Sequence, residues 1–235
     1  NIHLTKVDSE YPDNKLTGAA FEVYKDSNAN GKLDDGDELL GTLTEKEKGE
    51  YSMNDLFYGR YFVKETKAPE GFVLDTGVYE VMIDTNGKTY EVENKAGVGF
   101  INDAMRGNLK IVKTSSDGKV KGFAFRITGA NGYDIILETN DKGEIFIDGL
   151  RIGDYTISEV SNSASSMYVI PADKKATVKI GSTTIVEMHN LLRDTPKTGD
   201  TTNLPLLYAL AGLSAVGIAV CGVIGFKKKK KEDRN

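Results

Sequence analysis

The chain repeats one strand-like stretch: residues 56–65 read LFYGRYFVKE, and residues 150–159 read LRIGDYTISE. In both copies apolar side chains take alternate positions and lead to a glutamate, Glu65 in the first copy and Glu159 in the second. Side chains two residues apart lie on the same face of a β-strand. Each copy therefore predicts a half-buried strand whose apolar face ends in a carboxyl group.

The repeat extends over most of the chain. Two further pairs of stretches match: residues 16–23 with 120–127, and residues 49–51 with 143–145. Short runs rich in Val, Ile, Tyr, Phe and Thr alternate with turn pairs such as Asn86-Gly87 and Asp117-Gly118, and no amphipathic helix of useful length interrupts them. We predict an all-β chain of two tandem antiparallel β-sandwich domains, at residues 1–105 and 106–192.

Each repeat directs three polar side chains at its own core. Lys6 continues the face of Ile2 and Leu4, although lysine is among the residues least often buried. The same alternation selects one residue of each type per repeat: Lys6, Glu65 and Asn102 in the first, and Lys113, Glu159 and Asn190 in the second. Burial favours the neutral amine and the protonated carboxyl. A neutral amine is a nucleophile, and a protonated carboxyl polarises a carboxamide.

Two alternatives stay open at this point. Asn94 also lies on an apolar parity, with Tyr90 and Val92, although Asn102 is preferred because it aligns with Asn190 after the final strand. The second alternative is that the lysines bend outward at the strand ends and form ordinary salt bridges with the glutamates.

Several of these stretches resemble a known kind of repeat. The matching residues are Lys6-Val7-Asp8, Leu16 to Phe21 and, most specifically, the run ETKAPEGF at 65–72. They resemble the Cna-B/SpaA-type repeats of Gram-positive adhesins and pilins, and the resemblance covers most of residues 1–192. It implies an Ig-like, prealbumin-like sandwich for each repeat. The second repeat keeps Glu159 but reads SNSA at 161–164 in place of the Ala-Pro-Glu-Gly part.

The resemblance also implies a covalent bond inside each repeat. A lysine amine attacks an asparagine side chain, ammonia leaves, and an intramolecular isopeptide bond remains. Carried over residue by residue, the implied bonds join Lys6 to Asn102 with assistance from Glu65, and Lys113 to Asn190 with assistance from Glu159. By analogy with a disulfide, a bond that closes a loop of about 100 residues constrains the unfolded chain by about 4–5 kcal/mol.

The C-terminal end carries a membrane-spanning pattern. Residues 204–226 contain no charged side chain, and at about 1.5 Å per residue a helix of this length crosses a hydrocarbon core of about 30 Å. Lys227 to Lys231 follow directly, and lysines at that position stop translocation and stay in the cytoplasm. We predict a transmembrane helix at 204–226 and a basic cytoplasmic tail at 227–235.

A short motif precedes this span, in a predicted linker at residues 193–203. Thr195-Pro196-Lys197-Thr198-Gly199 resembles the sortase recognition pentapeptide Leu-Pro-x-Thr-Gly, with Thr195 in place of the usual leucine. The resemblance implies cleavage between Thr198 and Gly199 and transfer of the Thr198 carboxyl to a peptidoglycan precursor. It predicts sortase as a partner and covalent attachment to the cell wall of a Gram-positive bacterium. A permanent single-pass anchor is the alternative.

Residues 26–37 resemble a calcium loop of the EF-hand type. Oxygen donors recur at the spacing of such loops, with Gly31 at the sharp turn. The predicted ligands are Asp26, Asn28, Asn30, the Lys32 carbonyl, Asp34 and Asp37. Asp37 stands where glutamate is usual, and strands rather than helices are expected on either side. The alternative is an ordinary polar turn without a metal.

The composition excludes several classes of function. The 235 residues carry 30 basic and 35 acidic side chains, and six of the basic ones lie in the tail at 227–235. The rest of the chain is acidic, so we expect no nucleic-acid partner. The only cysteine, Cys221, lies in the apolar span and leaves residues 1–220 without a disulfide. We find no catalytic constellation for a turnover enzyme; the bond-forming step is used once.

Three functional hypotheses follow. In the first, the chain is the wall-proximal stalk of an adhesin, and host-ligand binding lies in a missing N-terminal part, because the chain begins inside a predicted strand. In the second, it is a pilin subunit that sortase polymerises through Lys15, although Tyr11-Pro12-Asp13-Asn14-Lys15 reads better as a turn. The third is a ligand-binding or enzymatic ectodomain, for which the sequence offers no site.

Overall fold

The computed structural model describes residues 1–194, and these residues are mainly β-strand. Within that range a single 3-10 turn, Ala130–Gly132, is the only helical element. The first repeat contains strands β1 (Ile2–Asp8), β2 (Ala20–Lys25), β3 (Glu38–Thr42), β4 (Thr44–Glu47), β5 (Glu50–Met53), β6 (Gly59–Lys67), β7 (Val78–Ile83), β8 (Tyr90–Glu91) and β9 (Phe100–Asn102). The second contains β10 (Arg106–Ser115), β11 (Ala124–Thr128), β12 (Asp134–Glu138), β13 (Glu144–Arg151), β14 (Gly153–Val160), β15 (Tyr168–Val169), β16 (Lys174–Val178) and β17 (Thr183–Leu192).

Each repeat is a sandwich of two sheets. In the first, one sheet has the order β4-β5-β1-β8, with β9 also paired to β1, and the facing sheet has the order β3-β2-β6-β7. In the second, the sheets have the orders β13-β10-β17-β15 and β12-β11-β14-β16. Each sandwich encloses its own apolar core. For the described residues, the prediction of an all-β fold is confirmed.

The cores are built from the inward positions of the strands. In the first repeat Phe21 packs edge to face on Tyr51 and on Phe100, with ring centroids 5.3 and 4.9 Å apart. Tyr79 continues the stack against Phe100 at 5.0 Å. Because burying one such side chain contributes about 1.5–3 kcal/mol, these rings fix how the two sheets face each other.

The first and last strands of each repeat lie side by side and run parallel. β1 pairs with β9, and β10 pairs with β17 over eight residues on each strand. The expectation of a wholly antiparallel sandwich was wrong at this position. The chain passes through the facing sheet before it returns, so the last strand can run in the same direction as the first. As a result, residues near the ends of both strands become neighbours.

Residues 1–192 form one compact unit, and inside it a cluster of charges joins the two repeats. Arg151 of the second repeat binds both carboxylate oxygens of Asp8 in the first, at 2.6 and 2.7 Å. It also reaches Glu10 at 2.7 and 2.9 Å, and the Tyr11 ring centroid lies 4.9 Å from its guanidinium carbon. We call these four residues the Arg151 clamp. A bidentate pair of this kind fixes orientation as well as distance.

Candidate cross-linking sites

The first site joins the two parallel strands of the first repeat. β1 and β9 pair in the register Lys6 with Phe100 and Asp8 with Asn102. Asn102 therefore lies two residues beyond the partner of Lys6, and both side chains point to the same face of the sheet. That face is the core, because Lys6 is 0% exposed and Asn102 is 3% exposed.

Glu65 reaches this pair from β6 in the facing sheet. Asn102 donates from Nδ2 to Glu65 Oε2 at 2.8 Å, and Lys6 Nζ lies 3.7 Å from Glu65 Oε1. Lys6 Nζ also donates to the Phe100 carbonyl at 3.1 Å. One carboxyl group thus has one oxygen beside the amine and the other beside the carboxamide.

Burial changes the protonation of both ionisable groups. It lowers the pKa of Lys6 to about 8, against the opposing effect of the nearby Glu65 carboxylate. It raises the pKa of Glu65, against the hydrogen bonds that the carboxyl accepts from Asn102 and from the Asp75 N–H. Both shifts favour the neutral forms. A neutral amine beside a protonated carboxyl is the state required for attack on a carboxamide.

The second site has the same three residue types, on β10, β17 and β14. Asn190 lies two residues beyond the partner of Lys113, and it donates from Nδ2 to Glu159 Oε1 at 2.6 Å. Lys113 Nζ donates to the Thr114 carbonyl and lies 4.1 Å from the Phe123 ring centroid. Burial lowers the pKa of Lys113 and raises that of Glu159.

Both sites contain buried polar atoms that lack a hydrogen bond to any described residue. They are Glu65 Oε1, Asn102 Oδ1, Glu159 Oε2 and Asn190 Oδ1. Leaving such an atom unpaired costs about 1–3 kcal/mol. The unpaired atoms recur on the same two residue types in both repeats, so they belong to the shared arrangement. Buried groups of this kind call for a functional explanation.

The structure brings Asn102, and not Asn94, to Glu65. Asn94 instead donates to the Asp75 carboxylate at 2.6 Å. It also brackets the backbone of Ile101, accepting from its N–H at 2.6 Å and donating to its carbonyl at 2.8 Å. The two lysines do not bend outward either, since both side chains are buried.

The repeated Gly-Glu pair lies where the chain passes close to each lysine strand. The Lys6 N–H donates to the Gly49 carbonyl, and the Lys113 N–H donates to the Gly143 carbonyl, both at 2.7 Å. Gly49 has φ +71° and Gly143 has φ +76°. An added Cβ would lie 3.0 Å from the Lys6 carbonyl oxygen or 2.7 Å from that of Lys113. Glycine fits this conformation and this close approach, which explains why the pair recurs.

The loop at 26–37 connects β2 to β3, so strands flank it as expected. Hydrogen bonds inside the loop link the predicted ligands Asp26, Asn28, Asn30, Asp34 and Asp37, and the Lys32 N–H donates to Asn30. The Gly36 N–H and the Asn30 amide hold the pKa of Asp34 below its ordinary value. Across residues 1–194, no group of three or more His, Cys, Asp or Glu side chains is arranged to hold a metal ion. Calcium at this loop stays a prediction.

The C-terminal predictions lie outside the described residues. These are the sorting sequence at 195–199, the transmembrane helix at 204–226 and the basic tail at 227–235. In the part of the chain that the structure covers, no helix is both long and apolar enough to cross a membrane.

Two features around the sites were not predicted from the sequence. Asp75 donates its backbone N–H to Glu65 Oε2 at 2.8 Å, but it lies in a loop, where alternation does not mark a face. Asp8 is fully buried in the Arg151 clamp. Asp8 shares the strand parity of Lys6, and this signal could have identified it as an inward residue.

The fold and the two sites define a class of protein, namely tandem β-sandwiches in which a lysine and an asparagine on parallel end strands are buried against a glutamate from the facing sheet. The sequence matches the family described as the SpaA prealbumin-like fold domain at residues 1–96 and again at 107–191. These matches cover most of the chain, so the chain belongs to this family.

One surface protein and two solved structures match this chain over most of its length. The trypsin-resistant surface T6 protein of Streptococcus pyogenes serotype M6 is 26% identical over an alignment of 194 positions, which covers 69% of this chain and 34% of that protein. The solved structure of the Bacillus anthracis TIE protein is 25% identical, with a TM-score of 0.59, over 80% of this chain and 33% of that one. The Streptococcus agalactiae minor pilin GBS52 is 19% identical, with a TM-score of 0.39, over 85% of this chain and 98% of that one. The chain spans about a third of the length of the first two.

Proposed function

We propose that this chain is a structural stalk segment of a Gram-positive surface protein, in which a Lys–Asn isopeptide bond closes each sandwich. One observation carries the proposal: in each repeat a buried lysine and a buried asparagine lie on the parallel first and last strands, and a buried glutamate reaches them from the facing sheet. The Streptococcus pyogenes relative is described as a surface protein, which supports the location. The role is mechanical, and the chain catalyses only its own cross-linking.

In the proposed reaction, Lys6 Nζ attacks Cγ of Asn102 as the neutral amine, and a new N–C bond forms. The proton that Nζ loses passes to Glu65 Oε1, which lies 3.7 Å away. Glu65 delivers a proton from Oε2 to Asn102 Nδ2, at 2.8 Å. The bond between Cγ and Nδ2 breaks, and ammonia leaves. One amine and one carboxamide become one amide and one ammonia, and Glu65 returns to its starting protonation state.

The same sequence of steps in the second repeat joins Lys113 to Asn190. Glu159 Oε1 lies 2.6 Å from the leaving nitrogen, and its Oε2 is the oxygen without a hydrogen bond from the described residues. That free oxygen is the proton acceptor for the amine. Lys113 Nζ first gives up its contact with the Thr114 carbonyl. Both bonds tie a first strand to a last strand, so each sandwich resists extension.

Intact mass spectrometry of residues 1–194 tests both bonds. We expect a mass below the calculated value by two ammonia molecules. Glu65→Ala and Glu159→Ala should each restore the mass of one ammonia, because each removes the proton carrier of one site. Glu138→Ala is the matched control, since this glutamate is exposed on the second repeat and should leave both losses intact. Folded protein at the full calculated mass would contradict both bonds.

The proposal includes anchoring through the motif at 195–199. Sortase would cleave between Thr198 and Gly199 and link the Thr198 carboxyl to peptidoglycan, which leaves the span and the basic tail behind. Wall fractions of cells that produce the whole chain should contain the protein only after muramidase digestion. Thr198→Ala should move it to the membrane fraction. Wall attachment of that variant at the wild-type level would contradict the assigned motif.

A pilin subunit is the second candidate, and the position of Lys15 favours testing it. The Lys15 side chain is 46% exposed and pairs with Glu50, so an enzyme can reach its amine from solvent. Polymerisation through this lysine would give a ladder of high-mass species in wall extracts. The ladder should disappear in Lys15→Arg and persist in Lys48→Arg, a control at another exposed lysine. A single species in the wild type would favour the stalk.

A further inference from the structure

Asp75 lies beside the two groups that act at the first site. Its backbone N–H donates to Glu65 Oε2 at 2.8 Å, and that same oxygen accepts from Asn102. Two residues earlier, the Val73 carbonyl accepts from Asn102 Nδ2 at 2.5 Å. The short segment 73–75 therefore contacts both the carboxyl and the carboxamide, and it sets their relative position.

The Asp75 side chain holds this segment in place. Its Oδ2 accepts from the Tyr79 hydroxyl at 2.9 Å and from Asn94 Nδ2 at 2.6 Å. Asn94 in turn brackets Ile101, the residue before Asn102. Partial burial opposes ionisation, but these hydrogen bonds keep the pKa of Asp75 below its ordinary value, so the group is an anion at neutral pH. One carboxylate thus ties the loop to β7 and, through Asn94, to β9.

The second repeat shows the same site with a different residue at this position. Equivalent cross-strand pairs fix the alignment, each two residues after the site asparagine: Phe72 with Ala104, and Tyr168 with Leu192. Three residues beyond these aromatics, Asp75 in the first repeat aligns with Pro171 in the second. Proline has no N–H to donate. Consistently, Glu159 accepts a hydrogen bond from Asn190 on one oxygen and none from the described residues on the other.

A surface cleft reaches the first site at the same position. It has a volume of about 380 Å³ and is lined by Asp75, Tyr79, Asn94 and Asn102, among others. Displaced ammonia would therefore have a direct path from Asn102 to solvent. The path passes the Asp75 carboxylate, which favours ammonium over ammonia by charge.

We propose that Asp75 is a positioning residue for the Lys6–Asn102 bond, holding Glu65 and Asn102 in the geometry of proton transfer. The inference rests on the proposed function and deepens it for the first repeat. Asp75 acts through its backbone on Glu65 and through Asn94 on β9, and its side chain does not contact the reacting atoms. The second repeat closes without such a residue and serves as an internal reference on the same chain.

The test follows cross-linking over time in freshly synthesised full-length chain. Protease digestion and mass spectrometry of the peptides that contain Lys6 and Lys113 report each repeat separately. Asp75→Ala should slow closure of the first repeat about tenfold, the effect of about 1.4 kcal/mol, and leave the second repeat unchanged. Asp75→Asn keeps an oxygen acceptor for Tyr79, so its first repeat should close at a rate within about threefold of the wild-type rate. Such rescue distinguishes positioning from a general loss of folding.

Different outcomes overturn the positioning role of Asp75 and the cross-link itself. Equal closure rates in Asp75→Ala and the wild type would overturn the inference while leaving the cross-link intact. A folded wild-type chain whose first repeat stays at full mass would overturn the cross-link itself. Circular dichroism in a Lys6→Met background checks that Asp75→Ala folds. If it does not, Tyr79→Phe removes one hydroxyl from the same network and should slow the first repeat about threefold; wild-type closure in that variant would overturn the inference.

Discussion

At the scale of single residues, strand alternation places a lysine at an inward position in each repeat, and burial then changes its chemistry. An exposed lysine has a pKa of 10.5, whereas burial lowers the pKa of Lys6 to about 8 and so enlarges the fraction of neutral amine at neutral pH. The same environment raises the pKa of Glu65 and leaves one of its oxygens without a hydrogen bond among the described residues. These groups destabilise the unlinked fold, and forming an amide removes the amine from the acid–base equilibrium.

This destabilisation predicts a pH dependence in a chain that cannot form the first bond. In Asn102→Ala, Lys6 keeps a pKa near 8 in the folded state against 10.5 when unfolded, so the unfolded state binds more protons between these values. The free energy of unfolding should therefore rise with pH across this window, by up to about 3 kcal/mol. Urea denaturation at several pH values measures it. Adding Lys6→Met to this variant should flatten the pH profile of the unfolding free energy. A flat profile in Asn102→Ala alone would contradict the lowered pKa of Lys6.

All six candidate site residues could be recognised from the sequence as inward-facing, because that inference depends only on parity. An apolar residue two positions away marks Lys6 and Asn190 as inward without any knowledge of which strands pair. Parity could not choose between Asn94 and Asn102, because that choice depends on the register of β9 against β1. Parity also gave no information about Asp75, because the role of this residue depends on the path of a loop.

At the scale of elements, the parallel pairing of first and last strands creates the sites. The sequence predicted the strands but not this pairing, because turn pairs reveal hairpins and a crossover leaves no local signal. Tight turns at Gly49 and Gly143 then bring a neighbouring strand against each lysine strand. The repeated Gly-Glu pair in the sequence thus marks a close backbone contact.

Replacing Gly143 tests that contact against a control with the same backbone conformation. Gly143 has φ +76° and a Cβ there meets the Lys113 carbonyl oxygen at 2.7 Å, whereas Gly118 has φ +79° and no described atom within 4 Å. Gly118→Ala should lower the free energy of unfolding by about 1–2 kcal/mol, because of backbone strain alone. Gly143→Ala should cost about 1–3 kcal/mol more from overpacking. Equal losses of unfolding free energy in the two variants, measured by urea denaturation, would show that the close approach at Gly143 does not affect stability.

The loop at 26–37 supports a prediction about metal binding. Calcium should bind there and raise the thermal midpoint of the first repeat, because ligands that bind only the folded state stabilise it. Asp26→Asn should weaken the effect, and Asp141→Asn, an exposed change in the second repeat, should not. Isothermal titration calorimetry measures the affinity directly. Equal thermal midpoints with calcium and with chelator would identify the loop as a polar turn.

At the scale of the whole molecule, the Arg151 clamp joins the two sandwiches, which belong to one compact unit. Asp8 is fully buried beneath the guanidinium, so removing the arginine leaves a buried carboxylate without its cation. Repetition in the sequence predicted two domains, but it could not predict the contact between them. The clamp residues lie at positions where the two repeats differ, with Arg151 aligned to Phe57.

Arg151→Ala should therefore loosen the joint between the repeats and cost about 2–3 kcal/mol of interface stability. Small-angle scattering should show a broader range of end-to-end distances, while each cross-link still forms. Arg126→Ala is the control, because Arg126 makes a bidentate pair with Asp134 inside the second repeat, on an exposed surface. An unchanged scattering profile in Arg151→Ala would contradict the role of the clamp.

The parallel end strands have one more consequence, which concerns how the surface of such a protein can change over evolutionary time. If the proposed bond joins Lys6 to Asn102, tension that enters through β1 would cross to the last strand and bypass nearly the whole first repeat. The loops and the facing sheet in between would carry no load. Insertions, deletions and substitutions in that bypassed region, the 26–37 loop included, would leave the tensile strength unaffected, so the exposed surface could change in sequence while the covalent path stayed the same.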